Sequence, residues 1–487
     1  MNREHSSFGC TALCAAVAAL WLSGCAVALA PGYKVLSETR TVQFVPGSPA
    51  SLHISEHYEL KNTGTTDLPF VDVTLPEQTA PGTDDVHIDW DGHPIDLSEL
   101  PEEYRTESPN TRRINFEAPW TREHTGALDI KYAFRPGSDF DNRITIGDET
   151  FHLGSSGWAA LPQPPHRFLS PYPTRPPKMI YSVRVPAEFL VLARGRLKRR
   201  KIERNEAVYQ FQLNKNDFAP FVVAGNYVET RLGAGSVVFW TIHPLSENAG
   251  TSPQRIAEAW ATLEKDFGPI DTELHVPHIV EAPTLRADLG EGPDSGVESF
   301  PGGALVGEQT LALGVSSDAF VERVSHALAH NWFSDEMYPG PNAAIGIGEG
   351  LAEYSTIVID EAEGGANARR SRVEYFLGEY YEALKHGKET PLGVTTVTDP
   401  PGQRAIAVAK APLMYVALED TCGEQPVRKG LKNLVTVLGG QQVGFNDLRS
   451  AMEQTCGKDL AEFFRIWLYG KGLPASFVAM HGAVTEH

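Results

Sequence analysis

Two histidines four residues apart, His326 and His330, constrain this chain more than any other feature. On a helix, residues at i and i+4 lie on one face, so both imidazoles reach a single metal ion. Glu349 follows His330 with eighteen residues between them and offers a third ligand. Three protein ligands leave one position of a tetrahedral Zn²⁺ open for water. In the H-E-x-x-H pattern, a glutamate after the first histidine takes a proton from that water. Here that residue is Ala327, and a methyl group accepts no proton.

At 487 residues the chain is long enough for two or three domains with buried cores. Its net charge of −20 opposes a polyanionic partner, so nucleic acid is not expected. The one basic run, Arg196, Lys198, Arg199, Arg200 and Lys201, lies between strand-like stretches and reads as a solvated hairpin.

The N-terminus reads as a targeting segment. Arg3 precedes a short apolar run over 12–22, too short to span a bilayer comfortably. Leu22-Ser23-Gly24-Cys25 then resembles a bacterial lipobox, with Cys25 the lipidated residue; the alternative is plain cleavage after Ala28-Leu29-Ala30. Either way an exported protein is expected. Lipidation would anchor it to a bacterial membrane facing the periplasm. Removal of the leader takes Cys10 and Cys14 with it, leaving Cys422 and Cys456. An even pair in an oxidising compartment invites a disulfide, with two buried thiols as the alternative.

The expected organisation is a leader over 1–25, a tether over 26–34, a β-domain over 35–243, a second domain over 244–475 and a tail over 476–487. Short alternating or β-rich runs at 51–60, 69–75, 112–116, 127–134, 179–185, 207–213 and 221–232 predict a sandwich-like first domain. A Pro-rich stretch over 161–178 reads as a long loop. Ser252-Pro253 starts a helix, with the serine as cap, and Ile256, Trp260, Leu263 and Phe267 form its core stripe. Strands are expected at 274–280 and 304–306. Helices are expected from 318 onward, including 431–438, 445–452 and 460–468.

Further segments join the histidine pair. His330 is followed by Asn331-Trp332-Phe333, and Glu349 sits in Gly348-Glu349-Gly350-Leu351-Ala352-Glu353-Tyr354. Gly296-Val297-Glu298-Ser299-Phe300 lies upstream; Trp467-Leu468 and Gly472-Leu473-Pro474 lie downstream. Together these resemble the membrane alanyl aminopeptidase family of gluzincin zinc metallopeptidases, over roughly residues 35–475. The resemblance implies an α+β chain: an N-terminal β-sandwich-like domain, then a thermolysin-like, mainly α zinc-metallopeptidase domain. It implies one Zn²⁺ on His326, His330 and Glu349, with a relic site of hydrogen-bonded histidines as the alternative. Glu298 matches the glutamate of the family's G-A-M-E-N segment, which holds the substrate's free amino group; a structural hydrogen bond is the other reading. Glu353 stands one turn past Glu349, either bracing a ligating histidine or facing solvent.

Two positions depart from the family. Ala327 replaces the general base. Val408, in Val408-Ala409-Lys410-Ala411, replaces the tyrosine of a Y-E-K-G segment that donates to the oxyanion. Tyr415 is seven residues on, about 10 Å along a helix, and too far to substitute. General-base help is worth roughly 10²–10⁴ in rate, and an oxyanion donor roughly 10²–10³. The expected protein is therefore an exported, lipid-anchored, aminopeptidase-like zinc protein with impaired catalysis, binding peptide N-termini or a protein partner. The alternative is an active zinc aminopeptidase whose base is displaced onto Glu298, Asp335, Glu336 or Glu353.

Overall fold

The computed structural model describes residues 32–76, 86–99, 110–135, 144–154, 158–163, 179–213, 220–245, 249–270, 272, 274–282, 285 and 296–482. The lipobox with Cys25, and most of the Pro-rich stretch over 161–178, lie outside them. The chain is α+β, with several β-sheets in its N-terminal part and a mainly helical C-terminal part. It divides into two compact units. The first gathers residues 54–133 with the flanking pieces up to 41 and over 159–180. The second holds 42–53, 134–158 and everything from 181.

Strict alternation builds the first unit. In the part of strand Ser51–Asn62 that belongs to it, Ile54, Glu56, Tyr58, Leu60 and Asn62 all face inward. A four-stranded sheet orders strands Leu161–Gln163, Leu68–Thr74, Thr111–Trp120 and Leu97–Glu99 side by side. Strand Tyr33–Val45 begins inside the expected tether, with Tyr33 fully buried. The inward period also brings charge into this core. Arg40 Nε lies 2.5 Å from Glu38 and 3.1 Å from Glu56, all three side chains being at most 4% exposed. Tyr132 Oη donates to Glu56 at 3.0 Å, and Tyr58 Oη donates to the Ala160 carbonyl at 2.6 Å. One guanidinium cannot compensate two buried carboxylates. Burial, against the pull of Arg40, pushes the Glu56 carboxyl up to about 8.

In the second unit, strand Leu190–Ala193, strand Val222–Gly225, strand Thr150–Leu153 and strand Ile144–Ile146 form an antiparallel sheet in that order. A five-stranded sheet follows in the order Val228–Leu232, Val237–Thr241, His278–Glu281, Gly303–Val306, Val297–Phe300. Its three central strands are parallel, and the antiparallel edge strand Val297–Phe300 carries Glu298. The run expected as one strand over 221–232 is thus two strands in two sheets, broken where Asn226 N donates to the Glu149 carbonyl. The change of composition at His243 likewise falls within the reach of one sheet, which takes strands from both sides of it.

Nine helices follow among the described residues: α1 (Ser252–Phe267), α2 (Glu308–Leu311), α3 (Asp318–His330), α4 (Gly350–His386), α5 (Pro401–Cys422), α6 (Glu424–Leu438), α7 (Phe445–Cys456), α8 (Ala461–Tyr469) and α9 (Ala475–His481). The stripe Ile256, Trp260, Leu263 and Phe267 of α1 is buried as expected; Ser252 is the helix's first residue rather than its cap. Gly365, at φ 68°, breaks α4 in a conformation that a side chain resists. Cys422 and Cys456, at the ends of α5 and α7, form a disulfide with Cα atoms 5.2 Å apart. Closing its loop, a sequence separation of 34, contributes about 3–4 kcal/mol in the chain-entropy picture. Among the described residues no helix is long and apolar enough to cross a membrane.

The Arg40 cluster makes stability pH-dependent. Between the unfolded value near 4.5 and the folded value near 8, the folded state holds a proton on Glu56 that the unfolded state has released. This contribution is complete below about 4.5 and is lost as pH rises through about 8. Thermal midpoints of wild type and Glu56→Gln, compared from pH 6 to 9, should show a fall in the wild type that the variant lacks. Parallel curves would refute the assignment.

Candidate metal centre

Helix α3 presents the histidine pair. Ser317 Oγ caps it by accepting from Phe320 N at 3.1 Å, and Phe320, Val321, Val324 and Leu328 seat it in the core. His326 and His330 share a face, with Nε2 atoms 3.0 Å apart. Past His330 the helix loosens into a π-helical turn, Asn331–Glu336. Asn331 clamps that junction: Oδ1 accepts from Gly302 N at 2.6 Å, and Nδ2 donates to the Gly303 carbonyl at 3.1 Å. Trp332 Nε1 donates to the Gly268 carbonyl, 2.6 Å away.

A second π-helical turn, Ala344–Glu349, delivers Glu349 at the start of α4. Glu349 Oε2 stands 3.8 Å from His326 Nε2 and 3.5 Å from His330 Nε2. Two close approaches set this turn. A Cβ on Gly350 would meet Ala411 Cβ at 2.6 Å, so only glycine lets α4 and α5 approach there. Tyr415, fully buried on α5, donates to the Gly346 carbonyl at 2.8 Å. Tyr415 is therefore committed to holding the turn that carries Glu349. Sequence reasoning had weighed it only as a distant phenol; the glycines at 346, 348 and 350 were the available sign of close packing.

The three ligand atoms form a triangle of 3.0, 3.5 and 3.8 Å. A tetrahedral site with bonds of about 2.0–2.1 Å has edges of about 3.3 Å, so the triangle suits Zn²⁺. The far side of each ring points the same way. His326 Nδ1 lies 3.3 Å from Glu353 Oε2, and His330 Nδ1 lies 3.0 Å from Ser334 Oγ. In the tautomer with protons on Nδ1, His330 hydrogen-bonds Ser334, His326 faces the Glu353 carboxylate across an ion-pair distance, and both Nε2 lone pairs are directed at each other and at a carboxylate. That arrangement is repulsive without a cation between the three atoms. Burial works to raise the Glu349 carboxyl. With protons on the Nε2 atoms in place of a bound cation, the charge of His330 and hydrogen bonds from both imidazoles outweigh it and hold the group well below the usual carboxylate range. Among the described residues these three form the single cluster fit for a metal.

Glu353 is 5% exposed, which decides between the two readings of it: it braces His326. Asp335 and Glu336 lie buried in the turn after α3. Glu298, on its edge strand, has a side chain 30% exposed with its carboxylate 3.9 Å from His152 Nε2. Ala327 is 3% exposed and part of the apolar core. Val408 packs half-buried against the same core from α5.

No family model and no curated protein matches the sequence. Solved structures do match. The M1 zinc metallopeptidase from Deinococcus radiodurans aligns with a TM-score of 0.62 and 17% identity, over 91% of this chain and 95% of that one. A glutamate-to-alanine mutant of an M1 zinc metallopeptidase from the same organism, bound to a Tyr-Ser-Ala substrate, gives 0.61 and 17% over the same shares. A two-domain M1 zinc metallopeptidase mutant bound to L-arginine gives 0.62 at 16% identity, again over 91% and 95%. The chain thus has the fold of the two-domain M1 zinc metallopeptidases, over nearly its whole length.

The geometry of the three side chains predicts that zinc is retained. Wild-type protein dialysed against a weak chelator should keep one Zn²⁺ per chain by elemental analysis and melt at a higher temperature than the apo form. His330→Ala and Glu349→Ala should lose both properties. Glu353→Ala should weaken affinity by about 10–100-fold.

Proposed function

We propose that this protein is a zinc-binding, aminopeptidase-like receptor for peptide N-termini with little hydrolytic power. It is exported and held at a bacterial membrane through lipid on Cys25. The observation that carries the reading is the ligand triangle of His326, His330 and Glu349, beside an alanine where a proton acceptor is needed.

When bound, Zn²⁺ supplies a Lewis acid that polarises a carbonyl and acidifies water. The chain's own residues do the rest. Glu349 and the two imidazoles hold the ion, and Glu353 and Ser334 fix the rings. The partly exposed carboxylate of Glu298 attracts a cationic peptide end through charge-assisted hydrogen bonds. Ala327 moves no proton, and Val408 offers no hydrogen bond to a developing oxyanion. Glu353 is committed to His326 and does not stand in as the base. Binding is kept while the groups that lower the barrier are missing.

The test separates binding from turnover. A tripeptide with a free amino terminus should bind the zinc-loaded protein, by calorimetry, at least about tenfold more tightly than its N-acetylated form, the size of one charge-assisted contact. Glu298→Gln should remove that preference. Hydrolysis of aminoacyl-coumarin substrates by wild type, read as release of free aminocoumarin, should be near background. The double variant Ala327→Glu, Val408→Tyr should raise kcat/KM by at least about 10². Brisk, chelator-sensitive hydrolysis by the wild type would overturn the reading.

A further inference from the structure

The basic run is a strand, Arg196–Glu203, and every one of its residues is exposed. It pairs on one side with strand Glu206–Leu213 and with no strand on the other among the described residues. Its register sorts its side chains. Leu197, Arg200 and Ile202 stand opposite the buried Phe211, Tyr209 and Ala207; Arg196, Arg199 and Lys201 stand opposite Gln212, Gln210 and Val208. A bulge between Leu197 and Arg199 takes Lys198 out of register. Lys201 is paired with Glu203. Arg196, Lys198, Arg199 and Arg200 form no ion pair with the described residues, and Arg200 stands over the Tyr209 ring at 5.2 Å. Leu197 and Ile202 are 46% and 57% exposed, so apolar side chains share this rim with the cations.

Cations on an edge strand commonly serve to block pairing with another sheet. That role does not call for two exposed aliphatic side chains, which work against it. A second copy of the chain is a poor occupant, because two such edges repel. The chemistry fits an anionic surface with an apolar layer beneath it.

We propose that strand Arg196–Glu203 docks edge-on to an anionic lipid bilayer. Its guanidinium and ammonium groups would meet phosphate headgroups, while Leu197 and Ile202 enter the interface. The net charge of −20 opposes the long-range approach of a free polyanion. Over a Debye length of about 8 Å, however, the local patch dominates. A bilayer offers the apolar layer that Leu197 and Ile202 can enter and a soluble polyanion does not, so a membrane is favoured, with or without the lipid anchor proposed above. This use of the edge is independent of the metal centre.

The experiment takes the chain from residue 25 with Cys25→Ser, so that no acyl chain contributes. Co-sedimentation should show binding to vesicles containing phosphatidylglycerol but not to pure phosphatidylcholine vesicles, with loss on adding salt. Four cations at roughly fivefold each predict that Arg196→Gln, Lys198→Gln, Arg199→Gln and Arg200→Gln together lower the partition coefficient by at least about 100-fold. Leu197→Ser with Ile202→Ser should lower it by a smaller factor. A control set with the same charge change elsewhere (Arg370→Gln, Lys388→Gln, Lys429→Gln, Lys471→Gln) should bind like the parent. Equal melting temperatures establish that all sets are folded. No binding by the parent, equal loss in the control set, or heparin binding as tight as vesicle binding would each overturn the proposal.

Discussion

Three lone pairs turned toward one point are the constraint on which the helical half of this protein depends. Two imidazole nitrogens and a carboxylate oxygen within 3.8 Å of one another repel unless a cation sits among them. Their positions are therefore imposed by what surrounds them. Asn331 pins the end of α3 to the sheet, Tyr415 fixes the turn ahead of Glu349, and Gly350 lets α5 approach. Further out, Arg428 joins Asp266 at the end of α1 to Glu361 on α4, each at 2.7 Å. Arg369 and Tyr354 both donate to Glu419. Glu419 is the buried member of this part-buried network, so removing Arg369 would leave its charge uncompensated.

Zinc hydrolases combine two jobs, holding a cation and moving a proton. Holding a cation needs lone pairs in the right places and rings that cannot turn, and both are present. Moving a proton needs an acceptor beside the open coordination position. Ala327 is instead absorbed into the apolar core, and the nearest bracing carboxylate, Glu353, is engaged on the far side of a histidine ring. In the proposed function such a centre favours recognition over chemistry, because ground-state contacts survive while those made only in the transition state do not.

Charge is treated in opposite ways elsewhere in the chain. The Arg40 cluster is sealed inside a β-core, where two carboxylates share one guanidinium and a proton makes up the deficit. Strand Arg196–Glu203 keeps its cations in solvent. Both follow from period-two alternation. Glu56 lies on the inward set of its strand, whereas the edge strand has no covering layer for either face.

The sequence alone determined the local parts. The spacing of His326 and His330 and the stripe of α1 follow from helical period, and the strands expected over 51–60 and 127–134 from alternation; these rules are short-range and act whatever the rest of the chain does. The pairing of Cys422 with Cys456 was legible from residue count, and the gathering of His326, His330 and Glu349 from a resemblance in motif and spacing. Tertiary structure decided what depends on residues far apart in sequence. It split the run over 221–232 between two sheets, carried one sheet across residue 243, turned Glu353 onto His326, and gave Tyr415 to Gly346 rather than to the chemistry. The reason is that a side chain's role is set by which polar groups remain unsatisfied around it once the backbone has packed, and no local pattern encodes that.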